Sequence, residues 1–365
     1  MPQFNRFRKV AFVCLFLWSS ASRAAPRPFE LPVMKAESSH WTETGRAEES
    51  ERLCLALVRA YPKKVRCESF GISPEGRNLR VLVVSGSGAL TPAAARKKSL
   101  PVVWIQAGIH AGEIEGKDAT YAYLKDELAK KESPLSKQVL LFCPVINIDG
   151  HERFGKWNRA NQNGPVEKGW RVNSQNLNLN RDYAKLDTPE VAQSLKYLEK
   201  WNPHVWVDLH TTDGAKFQHD VAVMIPSTLT GTGKLLALST SLQERLMSEL
   251  THQGHLPLWY YPEFLKTDDP LSGIENLPDS PKMGYTYFAY RGRVGILVET
   301  HSWRSYEERA KSTRHVIETL LTDVALRGPQ YVDSAREQDQ MKQVGRSQTL
   351  GYQVKGAPET VDFLG

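Results

Sequence analysis

Residues 102–113 read VVWIQAGIHAGE and join a predicted strand to a predicted helix. The run from Val102 to Gln106 is almost continuously apolar, which is typical of a strand buried on both faces. A helical pattern of apolar residues follows at about 114–131. A buried strand that leads into a helix is the repeating unit of parallel sheets, so this stretch favours an α/β domain.

The same alternation of strands and helices continues along most of the chain. The other predicted strands are Leu79–Val84, Val139–Asn147, Val205–Leu209, Val221–Ile225 and Val294–Glu299. The other predicted helices cover about 48–61, 188–201, 232–252 and 304–325. Residues 255–285 contain five prolines and two glycines and predict a long loop region. We expect a central mixed, mostly parallel twisted sheet with helices on both faces.

Length and charge exclude several classes of protein. The chain has 365 residues, 41% hydrophobic and 24% charged, so a collagen-like, coiled-coil or disordered chain is excluded. Four of the 47 basic residues lie within positions 1–24, which hold no acid, and the rest of the chain carries 43 basic and 41 acidic side chains. This near balance gives no electrostatic reason to expect nucleic acid or an anionic membrane as a partner.

The N-terminus has the order of a secretory signal peptide. Basic residues precede the apolar run Val10–Trp18, and small residues precede a cleavage point after Ala24. A buried first helix and a membrane anchor are the alternatives, but this run is too short to cross a bilayer about 30 Å thick. We expect residues 1–24 to be removed and the mature protein to be exported, periplasmic or secreted, without an integral membrane segment.

The mature chain is expected to hold one large domain, residues 25–326, and then a polar tail or the start of a further segment at 327–365.

Three cysteines remain after signal removal, with no CxxC pair, which excludes a disulfide framework and a cysteine zinc site. Cys54 and Cys67 could form one bond in an oxidising compartment or could be two small buried residues. The sequence leaves both possibilities open.

A candidate metal site begins at His110 and Glu113, which lie three residues apart on the turn after the first quoted strand. At this spacing both side chains can face one point, beyond the carboxyl end of a strand where open α/β sheets bind ligands. Alone, the pair is a weak signal, because a helix-start glutamate beside an exposed histidine has the same pattern. A His, a Glu and a second His with one open position make a catalytic zinc site. Among the ten histidines, His210 fits best as the third ligand because it ends the apolar run Val205–Leu209.

Glu299 ends another apolar strand, where an unpaired carboxylate is costly. It therefore indicates a general base beside the metal, or else a structural ion pair with Arg291 or Arg293. His301 shares the strand parity of Glu299 and is a rival for the third ligand position. We prefer His210 because its strand precedes a glycine-containing loop.

A segment rich in asparagine and arginine offers groups that could hold a substrate. Asn180 and Arg181 are adjacent, and arginine binds carboxylates through two hydrogen bonds while asparagine adds a directed donor. Arg159 could polarise a scissile carbonyl and stabilise the oxyanion. Each of these residues alone is also compatible with a turn-rich surface loop.

Together these residues resemble the M14 zinc metallocarboxypeptidases over roughly residues 80–325. The motifs that carry the resemblance are, in chain order, His110-x-x-Glu113, Asn147-x-Asp149-Gly150, Asn180-Arg181, His210 and Glu299. The resemblance implies one zinc carboxypeptidase-like domain with a mixed sheet of about eight strands. Asn178 stands where animal digestive members have an acid, so the chain resembles a distant, bacterial-type member.

The resemblance also implies a role for each site residue. One zinc ion per chain would be held by His110, Glu113 and His210, with Glu299 as the catalytic base. The other implied roles are a substrate carboxylate on Asn180 and Arg181, a carbonyl polarised by Arg159, and a substrate-binding tyrosine at Tyr285, which is preferred over Tyr287.

These inferences lead to a zinc exopeptidase that hydrolyses the last amide bond of a peptide with a free carboxylate. Peptidoglycan stem peptides are a candidate substrate in an exported compartment. One alternative is a zinc deacylase of N-acyl amino acids, of the aspartoacylase or succinylglutamate desuccinylase type, and another is a non-catalytic peptide-binding module. Export and the long loop at 255–285 favour a peptide substrate, and an intact Glu299 favours catalysis.

Overall fold

The fold is organised around a mixed sheet of eight strands. The computed structural model describes residues 31–226, 233–266, 268–276, 279–341, 345 and 363–364. The strands are β1 (Val65–Ile72), β2 (Asn78–Val84), β3 (Val102–Ala107), β4 (Val139–Cys143), β5 (Val205–Thr211), β6 (Val221–Met224), β7 (Pro257–Leu258), β8 (Glu263–Lys266), β9 (Asp269–Glu275) and β10 (Val294–Thr300). The sheet order is β1-β2-β4-β3-β5-β10-β6-β7, and β8 pairs with β9 in a separate ribbon.

The centre of this sheet is parallel. Strands β4, β3, β5 and β10 run side by side in one direction, whereas β1–β2, β2–β4 and β10–β6 pair antiparallel. Every residue of β3, β4 and β5 is buried, which explains why their sequences are apolar without alternation. The predicted α/β class, with a mixed and mostly parallel sheet of about eight strands, is confirmed.

Helices cover both faces of the sheet. They are α1 (Lys35–Ser38), α2 (Ala47–Ala60), α3 (Pro92–Lys97), α4 (Glu115–Ala129), α5 (Ile148–Glu152), α6 (Pro189–Trp201), α7 (Lys234–His252), α8 (Gly284–Tyr290), α9 (Tyr306–Leu326) and α10 (Gly328–Gln340). One core cluster unites α4, α7 and α9 with one face, through residues such as Leu242 and Leu320. The opposite face packs against α6 and α8, where the Trp206 ring stacks on Phe288 with centroids 5.1 Å apart.

Two sequence predictions were wrong: the end of one strand and the loop character of one segment. Strand β4 ends at Cys143 rather than at Asn147, because Pro144 follows and has no N–H to donate to a ladder. The Asn147 side chain instead accepts a hydrogen bond from the Gly150 amide and begins α5. Residues 255–285 also contain more structure than their composition predicts, namely β7, the β8–β9 ribbon and the start of α8. A two-stranded ribbon has only edge strands, so it tolerates the proline within β9.

The C-terminal region is described continuously through helix α10, whereas the first 30 residues lie outside the described residues. The expected signal peptide, residues 1–24, lies outside the described residues. The expected tail begins with helix α10, in which Tyr331 is buried and donates a 2.6 Å hydrogen bond to Asp323. The first part of 327–365 is therefore a helix that packs on the domain through buried side chains such as Tyr331 and Ala335.

Cys54 and Cys67, whose pairing the sequence left open, form a disulfide that joins α2 to β1. Cys143 is a free and buried thiol, and burial raises its pKa.

Among the described helices, none combines the length and the apolar character needed to span a bilayer.

Candidate metal centre and cleft

His110, Glu113 and His210 come together at the carboxyl ends of β3 and β5. The first two lie on the turn between β3 and α4, and His210 lies on β5 next to it in the sheet. All three side chains are buried, and one potential ligand atom from each lies within 4.8 Å of the others. This is the edge at which open α/β sheets bind their ligands, since parallel strands end there together.

Glycines shape the turn that carries two of these residues. Gly108 has a φ of +64°, a left-handed conformation that side chains with a Cβ rarely adopt. A Cβ on Gly112 would lie 2.8 Å from the carbonyl oxygen of Gly169, so only glycine permits this close approach of two loops. The turn can therefore present His110 and Glu113 to the same point.

The two histidines use their ring nitrogens in the same way. The Nδ1 atom of His110 lies 3.1 Å from Glu113 Oε1, and that of His210 lies 2.8 Å from Glu113 Oε2. Their Nε2 atoms point away, to Asn178 Oδ1 at 3.1 Å and to Asp208 Oδ2 at 2.9 Å respectively. An acceptor on the outer nitrogen holds each ring in place and leaves Nδ1 for a metal.

Asp208 is in turn fixed by a buried network. Gln106 donates from Nε2 to Asp208 Oδ1 at 3.1 Å, and the Tyr183 hydroxyl donates to Gln106 Oε1 at 3.1 Å. All three residues are almost fully buried, so the carboxylate cannot turn to solvent. His210 therefore receives a charged and rigid partner, whereas His110 receives only the neutral amide of Asn178.

Opposite charges surround Glu113. Arg159 Nη1 lies 2.8 Å and Arg171 Nη1 lies 3.4 Å from Glu113 Oε1. Burial opposes ionisation, but Arg159 and His110 together hold the pKa of Glu113 well below its usual value. Burial also lowers the pKa of His210, yet the Asp208 and Glu113 carboxylates raise it well above normal. A metal cation that binds here must displace the proton of His210.

The donor set fits a metal ion. His110 Nδ1 is buried and has no hydrogen-bond partner, although it faces the Glu113 carboxylate. Two imidazole nitrogens and one carboxylate, with other positions open, are the ligands of catalytic zinc sites. The rival His301 is placed differently, because its two ring nitrogens each lie 3.1 Å from a backbone amide, of Phe217 and Trp303.

Glu299 lies on β10 directly beside His210 of β5, as its partner in the parallel register. The side chain is half-buried, and its Oε2 atom is shielded from solvent without a hydrogen-bond partner among the described residues. Burial raises the pKa of Glu299 well above its ordinary value; His210 opposes this effect and Glu113 adds to it. The ion pair considered from sequence is not formed: Arg293 binds Asp339, and Arg291 packs over the ring of Tyr287.

The predicted carboxylate-binding pair borders the same site. Asn180 Nδ2 lies 3.4 Å from His210 Nε2, while its Oδ1 accepts a hydrogen bond from the Gly284 amide. Arg181 is partly exposed and donates from Nη1 to the carbonyl oxygen of Asn180 at 2.8 Å. The structure thus places Asn180 beside the candidate ligand His210 and Arg181 beside Asn180, and their role in carboxylate binding stays a prediction.

The two tyrosines considered for substrate binding, Tyr285 and Tyr287, are both held by contacts within the protein. Tyr285 is buried, and its hydroxyl donates to Asp279 Oδ2 at 2.6 Å. Tyr287 packs against Tyr183, with ring centroids 5.9 Å apart. Tyr261, which the sequence did not single out, accepts a hydrogen bond from the Asp213 amide at the cleft.

A cleft of about 420 Å³ opens beside the candidate metal ligands, where Arg159 and Arg171 of its wall reach Glu113. Its walls are formed by residues 158–161 and 170–172 together with Asp213. Arg159 is buried within this wall, with Nε and Nη2 unpartnered, whereas Arg171 is about one third exposed. Sequence reasoning missed Arg171, because no periodic pattern distinguishes it from the other arginines of the loop.

Comparison with known proteins agrees with this geometry. The sequence model of the zinc carboxypeptidase family, Peptidase_M14, matches residues 51–217. That segment contains His110, Glu113 and His210, together with the Asn180-Arg181 pair, and it ends before Glu299.

Solved carboxypeptidases share the fold at low sequence identity. A metallo-carboxypeptidase from Burkholderia cenocepacia is 17% identical, with a TM-score of 0.55, over 76% of this chain and 69% of that chain. A metallo-carboxypeptidase from Pseudomonas aeruginosa, solved in complex with (2-guanidinoethylmercapto)succinic acid, is 16% identical, with a TM-score of 0.53. The match covers 76% of this chain and 69% of that chain. Carboxypeptidase A from Helicoverpa armigera is 16% identical, with a TM-score of 0.51, over 80% and 74%.

The predicted resemblance to the M14 zinc carboxypeptidases is therefore confirmed. The family model matches residues 51–217, and the described sheet and helices share the fold of solved carboxypeptidases at low sequence identity.

Proposed function

We propose that this protein is an exported zinc exopeptidase that hydrolyses the C-terminal amide bond of peptides. The observation that carries the proposal is the position of Glu299. Its half-buried carboxylate has one oxygen, Oε2, that is shielded from solvent and makes no hydrogen bond among the described residues, and it lies in register beside His210 of the candidate metal site. Such a group is expected where a base must accept a proton from water.

His110, Glu113 and His210 would hold one zinc ion through two Nδ1 atoms and a carboxylate. When bound, zinc supplies a Lewis acid for a carbonyl oxygen and lowers the pKa of water. Asp208 and Asn178 hold the two imidazoles from their Nε2 atoms, so the ligand geometry exists before the ion arrives.

The remaining residues would position substrate and move protons. Glu299 would take a proton from the attacking water and pass it to the nitrogen of the leaving amine as the C–N bond breaks. Arg159 would stabilise the oxyanion that develops on the carbonyl, with Arg171 beside it in the cleft wall. Asn180 and Arg181 would bind the terminal carboxylate of the peptide, and Tyr285 would contact the substrate if its bond to Asp279 opens.

Export and a peptidoglycan stem peptide as substrate form part of the same proposal. The order of basic, apolar and small residues in 1–24 supports a cleaved signal peptide. The Cys54–Cys67 disulfide supports an oxidising compartment, because such bonds are rare in the reducing cytosol. Mass spectrometry of the exported protein should find an N-terminus at Ala25; a mature chain that starts at Met1 would contradict export.

The exopeptidase function is tested by the need for a free carboxylate. The zinc-loaded protein should cleave a free-acid peptide and cleave its C-terminal amide poorly. Arg181→Ala should lower kcat/KM for the acid about a hundredfold, since an unpaired carboxylate in a partly dry cleft costs a few kcal/mol. Arg96→Ala is the matched control, because Arg96 is exposed on α3 and its guanidinium donates to the Lys200 carbonyl, away from the candidate site.

Other outcomes would replace this proposal. Equal cleavage of acid and amide by the wild type would reject an exopeptidase. Faster hydrolysis of N-acyl amino acids than of peptides would establish the deacylase alternative. Peptide binding without turnover by the metal-loaded protein would establish a binding module.

A further inference from the structure

Glu115 is a buried carboxylate just behind the candidate metal site. It lies two residues after Glu113, in the first turn of α4, and is 1% exposed. Its Oε1 atom accepts hydrogen bonds from the hydroxyls of Thr211 and Thr300, the latter at 2.5 Å. The proposed reaction assigns no task to Glu115, although burial of a carboxylate is costly.

The two threonines are the residues that follow His210 and Glu299. They are register partners at the ends of the adjacent strands β5 and β10. Because side chains alternate along a strand, Thr211 and Thr300 point to the opposite face from His210 and Glu299. One carboxylate thus links the strand end that carries a metal ligand to the strand end that carries the base.

Arg309 partners Glu115 and extends the link to two loops. Its Nε atom lies 3.7 Å from Glu115 Oε2, and the side chain is fully buried. Its Nη1 and Nη2 atoms donate to the carbonyl oxygens of Asn163 and Gly164, in the loop that follows Arg159. Nη1 also donates at 2.6 Å to the carbonyl of Arg304, in the turn after β10.

We infer that Glu115 is a positioning residue, which holds the strand ends of His210 and Glu299 at a set separation through the hydroxyls of Thr211 and Thr300. The inference rests on the proposed function, since it assumes that His210 binds the metal and that Glu299 acts as the base. It assigns different main tasks to the two hydroxyls: Thr211 supports metal binding, and Thr300, whose hydroxyl also lies 3.3 Å from the backbone carbonyl oxygen of His210, supports the chemical step.

Single substitutions separate these tasks. Thr211→Val keeps the side-chain shape and should weaken zinc affinity about tenfold or more, because supports of metal ligands usually have effects of this size. Thr300→Val should lower kcat about tenfold or more while zinc affinity and KM stay within about twofold. Thr300→Ser, which keeps the hydroxyl, should restore kcat. Both properties are measured by zinc titration and by steady-state hydrolysis of one peptide.

The matched control is Thr120→Val on α4. Thr120 is equally buried, but its hydroxyl donates to the Gly116 carbonyl of its own helix and, among the described residues, to no other group. This variant should lose some thermal stability without a change in zinc affinity or kcat. If it reproduces the kinetic losses, the threonines matter only for packing and the inference is wrong.

Glu115→Gln tests the shared carboxylate. It should lower both zinc affinity and kcat, and addition of Thr300→Val should cause no more than about a twofold further loss in kcat, because both changes break one link. If Glu115→Gln does not fold, the zinc affinity of Thr211→Val and the kcat of Thr300→Val still test the inference. Threonine variants that match an active wild type would overturn this inference alone; a wild type that neither binds zinc nor cleaves peptides would overturn the proposed function and this inference together.

Discussion

Glu299 and His210 are register partners on the adjacent parallel strands β10 and β5. Paired residues of neighbouring strands point to the same face, so the carboxylate and the imidazole emerge side by side. A slip of β10 by one residue would move Glu299 to the opposite face of the sheet. The distance between the candidate base and the candidate metal ligand is therefore set by strand pairing, not by a flexible loop.

Glu299→Gln should separate metal binding from turnover. Glutamine keeps the shape of the side chain and cannot act as a base, so zinc should remain bound while kcat falls about a hundredfold or more. Metal analysis of the purified variant and steady-state hydrolysis of a free-acid peptide measure the two effects. Loss of zinc would show that Glu299 is a ligand, and unchanged turnover would point to another base.

The same variant should be more stable than the metal-free wild type at neutral pH. Burial raises the pKa of Glu299 above its ordinary value of 4.5, so the folded state keeps a proton that the unfolded state loses. The free energy of unfolding of the wild type must then fall as the pH rises through 4.5, by up to about 1.4 kcal/mol per pH unit until the folded-state pKa is passed. Urea unfolding with a chelator should show a gain in the free energy of unfolding for Glu299→Gln at pH 7 and little difference below pH 4.

The third metal ligand can be identified by comparing two histidines. His210→Ala should lose zinc, because it removes one of the three ligand atoms that meet at the site. His301→Ala should keep most of its zinc, since both ring nitrogens of His301 face backbone amides. Equilibrium dialysis against zinc measures both variants, and the reverse pattern would move the ligand to His301.

His210 has a charged hydrogen-bond partner, Asp208, whereas His110 has a neutral one, Asn178. Exchanging the charge at each partner should therefore change zinc affinity in opposite directions. Asp208→Asn removes the charged partner of His210 and should weaken zinc binding about ten- to a hundredfold. Asn178→Asp places a carboxylate beside His110 Nε2 and should strengthen binding, because a charged acceptor makes the imidazole a better ligand. A competition assay with a chromogenic chelator would detect both shifts, and equal affinities for wild type and Asp208→Asn would refute the role of Asp208.

Much of the candidate site could be predicted from the sequence because local signals place it. Apolar runs that end in His110-x-x-Glu113 and in His210 identify strand ends, and parallel strands end at one edge of the sheet. The grouping of these three residues follows from that rule without knowledge of the contacts. The ribbon within 255–285 could not be predicted in this way, because its strands lack a clear alternation of apolar and polar residues.

The partners that tune the site could not be predicted from local pattern. Arg171 reaches Glu113 from a loop without periodicity, and Tyr261 reaches Asp213 from the segment that composition assigned to a loop. From sequence, Asp208 could have paired with an arginine as well as with a histidine, and the folded chain places its Oδ2 atom 2.9 Å from His210 Nε2.

The sequence by itself determined the strand-and-helix order, the identity of the candidate zinc ligands and the presence of a carboxylate at the end of an apolar strand. Only the tertiary structure decided that β10 lies next to β5 in a register that pairs Glu299 with His210. The physical reason is range: hydrophobic periodicity and turn residues act within a few positions, whereas register is chosen by the packing of whole strands against helices on both faces.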